Sequence, residues 1–387
     1  MRILVLSNSS FSQPAIRTGL QQLALEWAQL GCLVDYVSCP LHPLDCLSPS
    51  RRSRWWKAWC QQSSMKLSID GPGQLVEHFV KAPFSRHKFW WRFANQLQLY
   101  SCWFPRSLSK QQYDVCLFDS SHAAIFRNKV QARKFIYRIN DNPEGFEHYM
   151  GESVIEWFRS QIREVQVDAI WPVSRDLKEW ALALNLQAPV DVMPNGVSLS
   201  LYANALIEGV ERGPRAVYLG AFNAWFDWDL LISASQHLPT EWSIDLYGPL
   251  NDRSRLKQLP DNIQWRGEVA FENVPAILSN YAVGLLPFRE CGSLLDYFDP
   301  LKACQYWAAG LGVVATDYGR MGDALLPWAV LNNSGAEFAA AIEIAAEMRT
   351  TWVNDPALSE QLKSRDWLSI SVQTLKWMAN SQLEPVK

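Results

Sequence analysis

Short apolar runs of strand length recur along the chain, separated by stretches whose apolar positions follow helical spacing. Near the start, residues 3–7 (Ile-Leu-Val-Leu-Ser) predict a buried strand. Residues 16–30 predict an amphipathic helix closed by Gly31, and residues 33–37 a second strand. That βαβ order implies a parallel sheet with a right-handed crossover. Further strands are predicted at 115–118, 134–137, 169–172 and 190–193. The second half repeats the style, with strands at 215–219, 243–247, 263–265, 283–287 and 313–316 and helices at 228–237, 274–281 and 301–309. Two doubly wound α/β halves explain this alternation better than one large sheet. A length of 387 residues also exceeds what one core usually serves. Pro194-Asn195-Gly196 is the turn-rich link, which divides the chain into a first domain at 1–194, a second at 195–364 and a closing helix and tail at 365–387.

Composition narrows the function classes. Apolar residues make up 48% and charged residues 19%, an ordinary globular balance, and a net charge of -3 offers no global field for nucleic acid. Arg2 and a four-residue apolar run are too short for a signal peptide, and no stretch approaches the ~20 apolar residues of a membrane span. The eight cysteines contain no Cys-x-x-Cys pair. Cys32, Cys39 and Cys46 recur every seven residues, but His42 alone between them does not complete a metal site. No Asp-x-Asp pair sits in a loop suited to a divalent ion. The expectation is a cytoplasmic protein with reduced thiols and neither metal nor other cofactor.

In such folds ligands bind outside the carboxyl ends of the strands. That rule points to the loops after Leu6, Phe118, Tyr137, Leu219, Tyr247 and Pro287. The most informative segment is residues 299–316. Asp299 suits an N-cap and Pro300 the first helical position, so the helix start would attract a diphosphate. Lys302 adds a full charge in the first turn, and Gln305, three residues on, shares its face and reaches toward ribose hydroxyls. The plain alternatives are a solvated first-turn lysine at Lys302 and a packing role for Gly310-Leu-Gly312.

The same segment resembles the Pro-Leu-Lys…Glu-Tyr…Ala-Ala-Gly…Pro-Val-Val-Ala-Thr signature of bacterial GT-B glycosyltransferases. Gln305, where most relatives carry Glu, is similar to the GumK-type β-glucuronosyltransferases of xanthan assembly. Gly267-Glu268-Val269 resembles their Gly-Glu-Met, Pro287-Phe288 their Pro-Tyr, and Gly220-Ala221-Phe222 their Gly-Ser-Met loop. The resemblance implies a donor set of Phe222, Glu268, Val269, Phe288, Leu301, Lys302 and Gln305. Residues 134–142 resemble a segment ending Val-Tyr-Arg-Ala-Ser-Asp, which implies Asp141 as general base; capping of a helix after Pro143 is the competing reading. The loop at 7–14 resembles the family's acceptor-side loop, and with the loop after Phe118 it implies Ser12, Gln13, Asp119 and Ser120 as acceptor-binding residues. Arg289, near the same region, is a candidate for a phosphate or sugar carboxylate, with plain surface charge as the alternative. The amphipathic stretch 365–378 resembles the last GT-B helix, which crosses back to the first domain. The implied architecture is therefore GT-B, two Rossmann-like domains facing across a cleft.

Residues 51–110 hold eleven Lys or Arg against two acids, with the chain's 19 tryptophans strongly represented there. Arg51, Arg52, Arg54, Trp55, Trp56 and Lys57 form one cluster; Lys88, Trp90, Trp91 and Arg92 form another. Basic residues interleaved with Trp suit an anionic bilayer, whose headgroups take up both. A surface helix with Trp facing the core is the plain alternative. The combined expectation is an inverting transferase on the inner face of the cytoplasmic membrane. Its partners would be a nucleotide-sugar, UDP-glucuronate among the candidates, and a lipid-linked saccharide, with no nucleic acid. A retaining GT-B hexosyltransferase, a non-catalytic nucleotide-sugar- or membrane-binding protein and a nucleotide-sugar epimerase are the alternatives.

Overall fold

The computed structural model describes residues 1–12, 17–38, 40–47, 52, 55–56, 63–81, 101–142, 145, 155–156, 159–160, 166–184, 187–203, 205, 212–250, 252–290, 292–297, 299 and 301–380. The chain divides into two compact units. The first comprises Met1–Gln13, Arg17–Pro194 and Ser371–Lys387; the second comprises Pro14–Ile16 and Asn195–Ile370.

The first unit is built on a seven-stranded sheet. Its strands are β1 (Arg2–Leu6), β2 (Leu33–Val37), β3 (Ser64–Leu67), β4 (Gln74–His78), β5 (Gln112–Asp119), β6 (Gln131–Ile139) and β7 (Ala169–Pro172), in the order β3-β4-β2-β1-β5-β6-β7. Every pair is parallel except β3–β4. Ile3 to Leu6 are fully buried, as strands covered on both faces must be. Helix α1 (Gly19–Gln29) follows β1, and the Gln21 side-chain oxygen accepts from the Thr18 N–H at its start. Helix α2 (Arg175–Ala183) starts at Ser174, whose hydroxyl accepts from the Leu177 N–H.

The second unit holds a six-stranded, all-parallel sheet: β8 (Arg215–Leu219), β9 (Ser243–Tyr247), β10 (Ile263–Gly267), β11 (Val283–Leu286), β12 (Gly312–Ala315) and β13 (Val330–Leu331), ordered β10-β9-β8-β11-β12-β13. Its helices include α3 (Trp228–His237), α4 (Val274–Leu278), α5 (Leu301–Ala308), α6 (Gly335–Val353) and α7 (Pro356–Ser364). Asp227 caps α3 and Ser334 caps α6. The last helix, α8 (Trp367–Ala379), opens in this unit with Trp367 and Ile370 buried. From Ser371 onward it belongs to the first unit. There the Trp27 indole donates to the Thr374 hydroxyl at 2.9 Å, Trp377 packs edge-on against Trp171, and Lys134 donates to the Met378 carbonyl.

The structure departs from the sequence expectations in a few places. Residues 190–193 form no full strand: Val190 makes a single bridge to Ile170, and Pro172 of β7 has no N–H to donate to the Asp191 carbonyl, where the pairing would continue. The helix expected at 274–281 ends at Leu278. Within 51–110 the β3–β4 hairpin, turning through Gly71-Pro72-Gly73, occupies part of the stretch for which a surface helix is the competing expectation.

Candidate active site

In each sheet the strand order reverses beside the first strand of its unit, and at such a point the chain leaves a crevice beyond the carboxyl ends. In the second unit this point lies between β8 and β11. The two strands pair only at Ala216–Val283 and Val217–Gly284 and then part. The Tyr306 hydroxyl of α5 fills the gap, accepting from the Leu219 N–H at 3.0 Å and donating to the Leu285 carbonyl at 3.4 Å. Gly284 permits this approach, since a Cβ there would fall 2.3 Å from the Tyr306 ring.

Tyr306 thereby sets the first turn of α5 at the mouth of the crevice. The Lys302 ammonium lies over the rings of Tyr218 and Phe288, 6.0 and 5.7 Å from their centroids. Among the described residues no carboxylate pairs with it. Burial pulls its pKa down from the usual lysine value to about 8. Gly220 makes room for the lysine: a Cβ would meet Lys302 Cε at 2.4 Å. The loops after β8, β9 and β10 are tied together, Gly220 N–H to the Tyr247 carbonyl and Gly248 N–H to the Gly267 carbonyl. Gly248 has φ +136°, and a side chain there would strike the Gly220 carbonyl.

The other expected donor residues are placed unevenly. Glu268 is exposed just past β10, Val269 packs partly against the core, and Leu301 and Gln305 are partly exposed on α5. Phe222 and Phe288 are buried: Phe222 stacks on Trp228 and contacts Tyr218 and Phe226, so its ring serves the core. The carboxylate expected to cap α5 has other partners. Asp299 accepts from Arg365 at 2.6 Å and from the Asn195 N–H at 3.1 Å, tying the start of α5 to the segments around 195 and 365. Arg289 is partly buried.

In the first unit the reversal lies between β1 and β5. The Ser7 hydroxyl donates across it to Asp119 Oδ2 at 3.2 Å. Asp119 is 8% exposed, and burial raises its carboxyl to about 6, partly countered by neighbouring hydroxyls and Arg138. Ser7 continues to Ser9, whose hydroxyl meets those of Tyr36 and Thr18. Ser12 bonds Ser10, which donates to the fully buried Glu77 of β4 at 2.5 Å. Ser120 bonds the Tyr137 hydroxyl. At the end of β6, Arg138 Nε donates to the Asn140 side chain; just beyond the strand Asn142 is buried, and Asp141 stands exposed between the two asparagines. The structure thus gathers Ser12, Asp119 and Ser120 with Ser7, Ser10 and Glu77 at one sheet end. Glu77 is the participant that motif reading passed over; its only local signal is the alternation of residues 74–78 after a Gly-Pro-Gly turn.

Of the basic Trp cluster, Arg52 donates to the Cys46 carbonyl, Trp55 is partly buried, and Trp56 is 54% exposed near the exposed Leu44 and Leu47 in sequence. Gln13, Arg51, Arg54, Lys57, Lys88, Trp90, Trp91 and Arg92 lie outside the described residues. Among the described residues no helix is long and apolar enough to cross a membrane, and no group of three or more His, Cys, Asp or Glu could hold a metal ion.

Comparison with known proteins completes the picture. Residues 213–347 match the family of Glycosyl transferases group 1, and residues 5–148 match the N-terminal domain of the glucuronosyltransferase GumK. Among solved structures the chain is similar to sucrose-phosphate synthase from Thermosynechococcus elongatus, at 15% identity and TM-score 0.71 over 97% of this chain and 98% of that one. It is also similar to Anabaena Alr3699/HepE in complex with UDP and glucose, at 13% identity and TM-score 0.63 over 98% and 99%. The lipopolysaccharide outer core galactosyltransferase WaaB aligns at 13% identity and TM-score 0.55 over 97% and 99%. Among curated proteins none matches the chain by sequence. At these identities the likeness to solved structures carries the fold.

Proposed function

We infer that this chain, which belongs to the GT-B glycosyltransferases, moves a sugar from a nucleoside-diphosphate donor bound by its second unit to a hydroxyl of a lipid-linked saccharide bound by its first. The observation that carries the reading is the partly buried Lys302 ammonium at the β8/β11 crevice, a cation without a carboxylate partner among the described residues. A diphosphate supplies the missing charge. The start of α5 adds its dipole, so the leaving group's charge is met without a metal ion. Gln305 and Glu268 are the proposed contacts to ribose and base. UDP in the complex of the similar Anabaena protein and the match to the GumK N-terminal domain favour a uridine donor, with glucuronate the first sugar to try.

In this reading Asp141 is the general base. Its carboxylate takes the proton of the acceptor hydroxyl as that oxygen bonds to the anomeric carbon. The bond from carbon to the diphosphate oxygen breaks with both electrons leaving on the diphosphate, and the configuration inverts. The Arg and Trp clusters at 51–57 and 88–92 would dock the chain on an anionic inner leaflet, and the exposed Trp56 suits that surface. The test is a screen of labelled UDP-sugars, UDP-glucuronate and UDP-glucose first, with bacterial membrane extract and anomeric analysis of the product. A labelled β-linked glycolipid is expected, with turnover lowered at least about 100-fold in Asp141→Asn. Unchanged Asp141→Asn turnover with an α-linked product would instead identify a retaining enzyme, and absence of both transfer and UDP binding would sink the proposal.

A further inference from the structure

Asp299 and Lys302 stand three residues apart, the spacing at which an acid and a base on one helical turn pair with each other. In the fold the acid turns to other partners. Its Oδ1 accepts from Arg365 Nη1 at 2.6 Å and its Oδ2 from the Asn195 N–H at 3.1 Å. The ion pair is sheltered, with the Asp299 side chain 5% exposed and that of Arg365 20%. Burial works against the Arg365 charge, yet the Asp299 carboxylate outweighs it and holds the guanidinium above the usual arginine value. The buried Cys304 thiol of α5 feels both charges, which puts Arg365 alongside the donor helix.

Arg365 is fixed by its own backbone. It closes α7, and its carbonyl accepts from the Val197 N–H at 2.9 Å. Asp366 forms a parallel bridge with Val197 and accepts from the Leu199 N–H at 3.2 Å. Gly196 lets the two segments touch, since a Cβ there would fall 2.5 Å from the Arg365 carbonyl. Arg365 Nη1 also donates to the Asn195 carbonyl at 3.3 Å.

The consequence for the donor site is electrostatic. A free carboxylate this close to the start of α5 would either pair with Lys302 or repel an arriving diphosphate. At about 10 Å and an effective dielectric constant of about 20, one unit of repulsion weakens binding roughly ten- to twentyfold. Engaged by Arg365, the carboxylate does neither, and the Lys302 ammonium meets only the rings of Tyr218 and Phe288.

We propose that Arg365 is a positioning residue for donor binding: it withdraws the Asp299 carboxylate from the first turn of α5 and so leaves Lys302 to a diphosphate. This rests on the donor being held by its diphosphate at the β8/β11 crevice. A brace that only stabilises the fold would make both partners of the ion pair equally necessary. Charge withdrawal makes them unequal, because removing the carboxylate removes the repulsion as well.

Calorimetric titration of UDP into the full chain and its variants separates the two roles, with the thermal transition recorded for each protein. Arg365→Gln should bind UDP at least tenfold more weakly than wild type. Asp299→Asn should bind at least as tightly as wild type. The double variant Asp299→Asn/Arg365→Gln, which leaves a neutral pair, should return to within threefold of wild type, and so should Arg365→Lys, which keeps the charge. Equal losses in Asp299→Asn and Arg365→Gln with no recovery in the double variant, or wild-type affinity in Arg365→Gln, would overturn the proposal. Should Arg365→Gln fail to melt cooperatively, the double variant decides alone: affinity within threefold upholds the proposal and a tenfold loss overturns it. A wild type that does not bind UDP would overturn the donor reading itself, and this inference with it.

Discussion

Replacing Lys302 with Met separates a charge held ready for an anion from one that merely decorates a helix. Burial lowers the Lys302 pKa from 10.5 to about 8. A displacement of that size corresponds to about 3 kcal/mol by linkage, an upper figure because the side chain is only partly shielded from water. The sign follows from proton counts. Between pH 8 and 10.5 the unfolded chain holds a proton that the folded chain has released, so stability rises with pH through that window. Below pH 8 the cost of the buried ammonium is present in full. Lys302→Met should therefore be more stable than wild type at pH 7.5, by up to about 3 kcal/mol or roughly 6–12 °C in the melting of the second unit, and the advantage should shrink toward pH 10. Scanning calorimetry at pH 7.5, 9 and 10 measures this. UDP should restore the charge: near pH 8 its binding takes up about half a proton, read from the dependence of the binding enthalpy on buffer ionisation. The variant should show no such uptake and at least a tenfold loss of UDP affinity. A variant that melts below wild type by the same margin at every pH would refute the reasoning, because the ammonium would then be a stabilising partner.

Three further outcomes are expected. Asp119→Asn should be more stable than wild type at pH 7.5 by up to about 3 kcal/mol. The raised carboxyl is protonated in the fold below about 6, so the gap should close as the pH falls toward 4 in a denaturant series. Gly248→Ala, which needs a side chain at φ +136° and 2.0 Å from the Gly220 carbonyl, should lose about 2 kcal/mol or more and weaken UDP binding through displacement of the loop after β8. Thr374→Val removes the acceptor of the Trp27 indole and strands a buried donor, which should cost about 1–3 kcal/mol in urea unfolding of the first unit.

What the linear chain determined about this protein is its periodic content. Residues 3–7, 169–172, 215–219 and 283–287 announce strands because a parallel sheet buries both faces of each strand, and the resulting apolar run survives in any short window. The motif around Lys302 is legible for a similar reason, since a helix start, a lysine and a glycine stop are all local. The β3–β4 hairpin is less legible, because an edge hairpin needs only one apolar face and its polar residues blend into a basic stretch. The site itself was decided by tertiary structure. Asp299 looks like a cap until Arg365, 66 positions away, takes its carboxylate. Phe222 looks like a ligand contact until Trp228 and Phe226 enclose it. Asp119 looks like one loop acid among several until Ser7, 112 positions away, meets it at the reversal of the sheet. Strand order and register choose those neighbours, and burial by distant residues then sets the price of each charge. No local window of sequence contains either quantity.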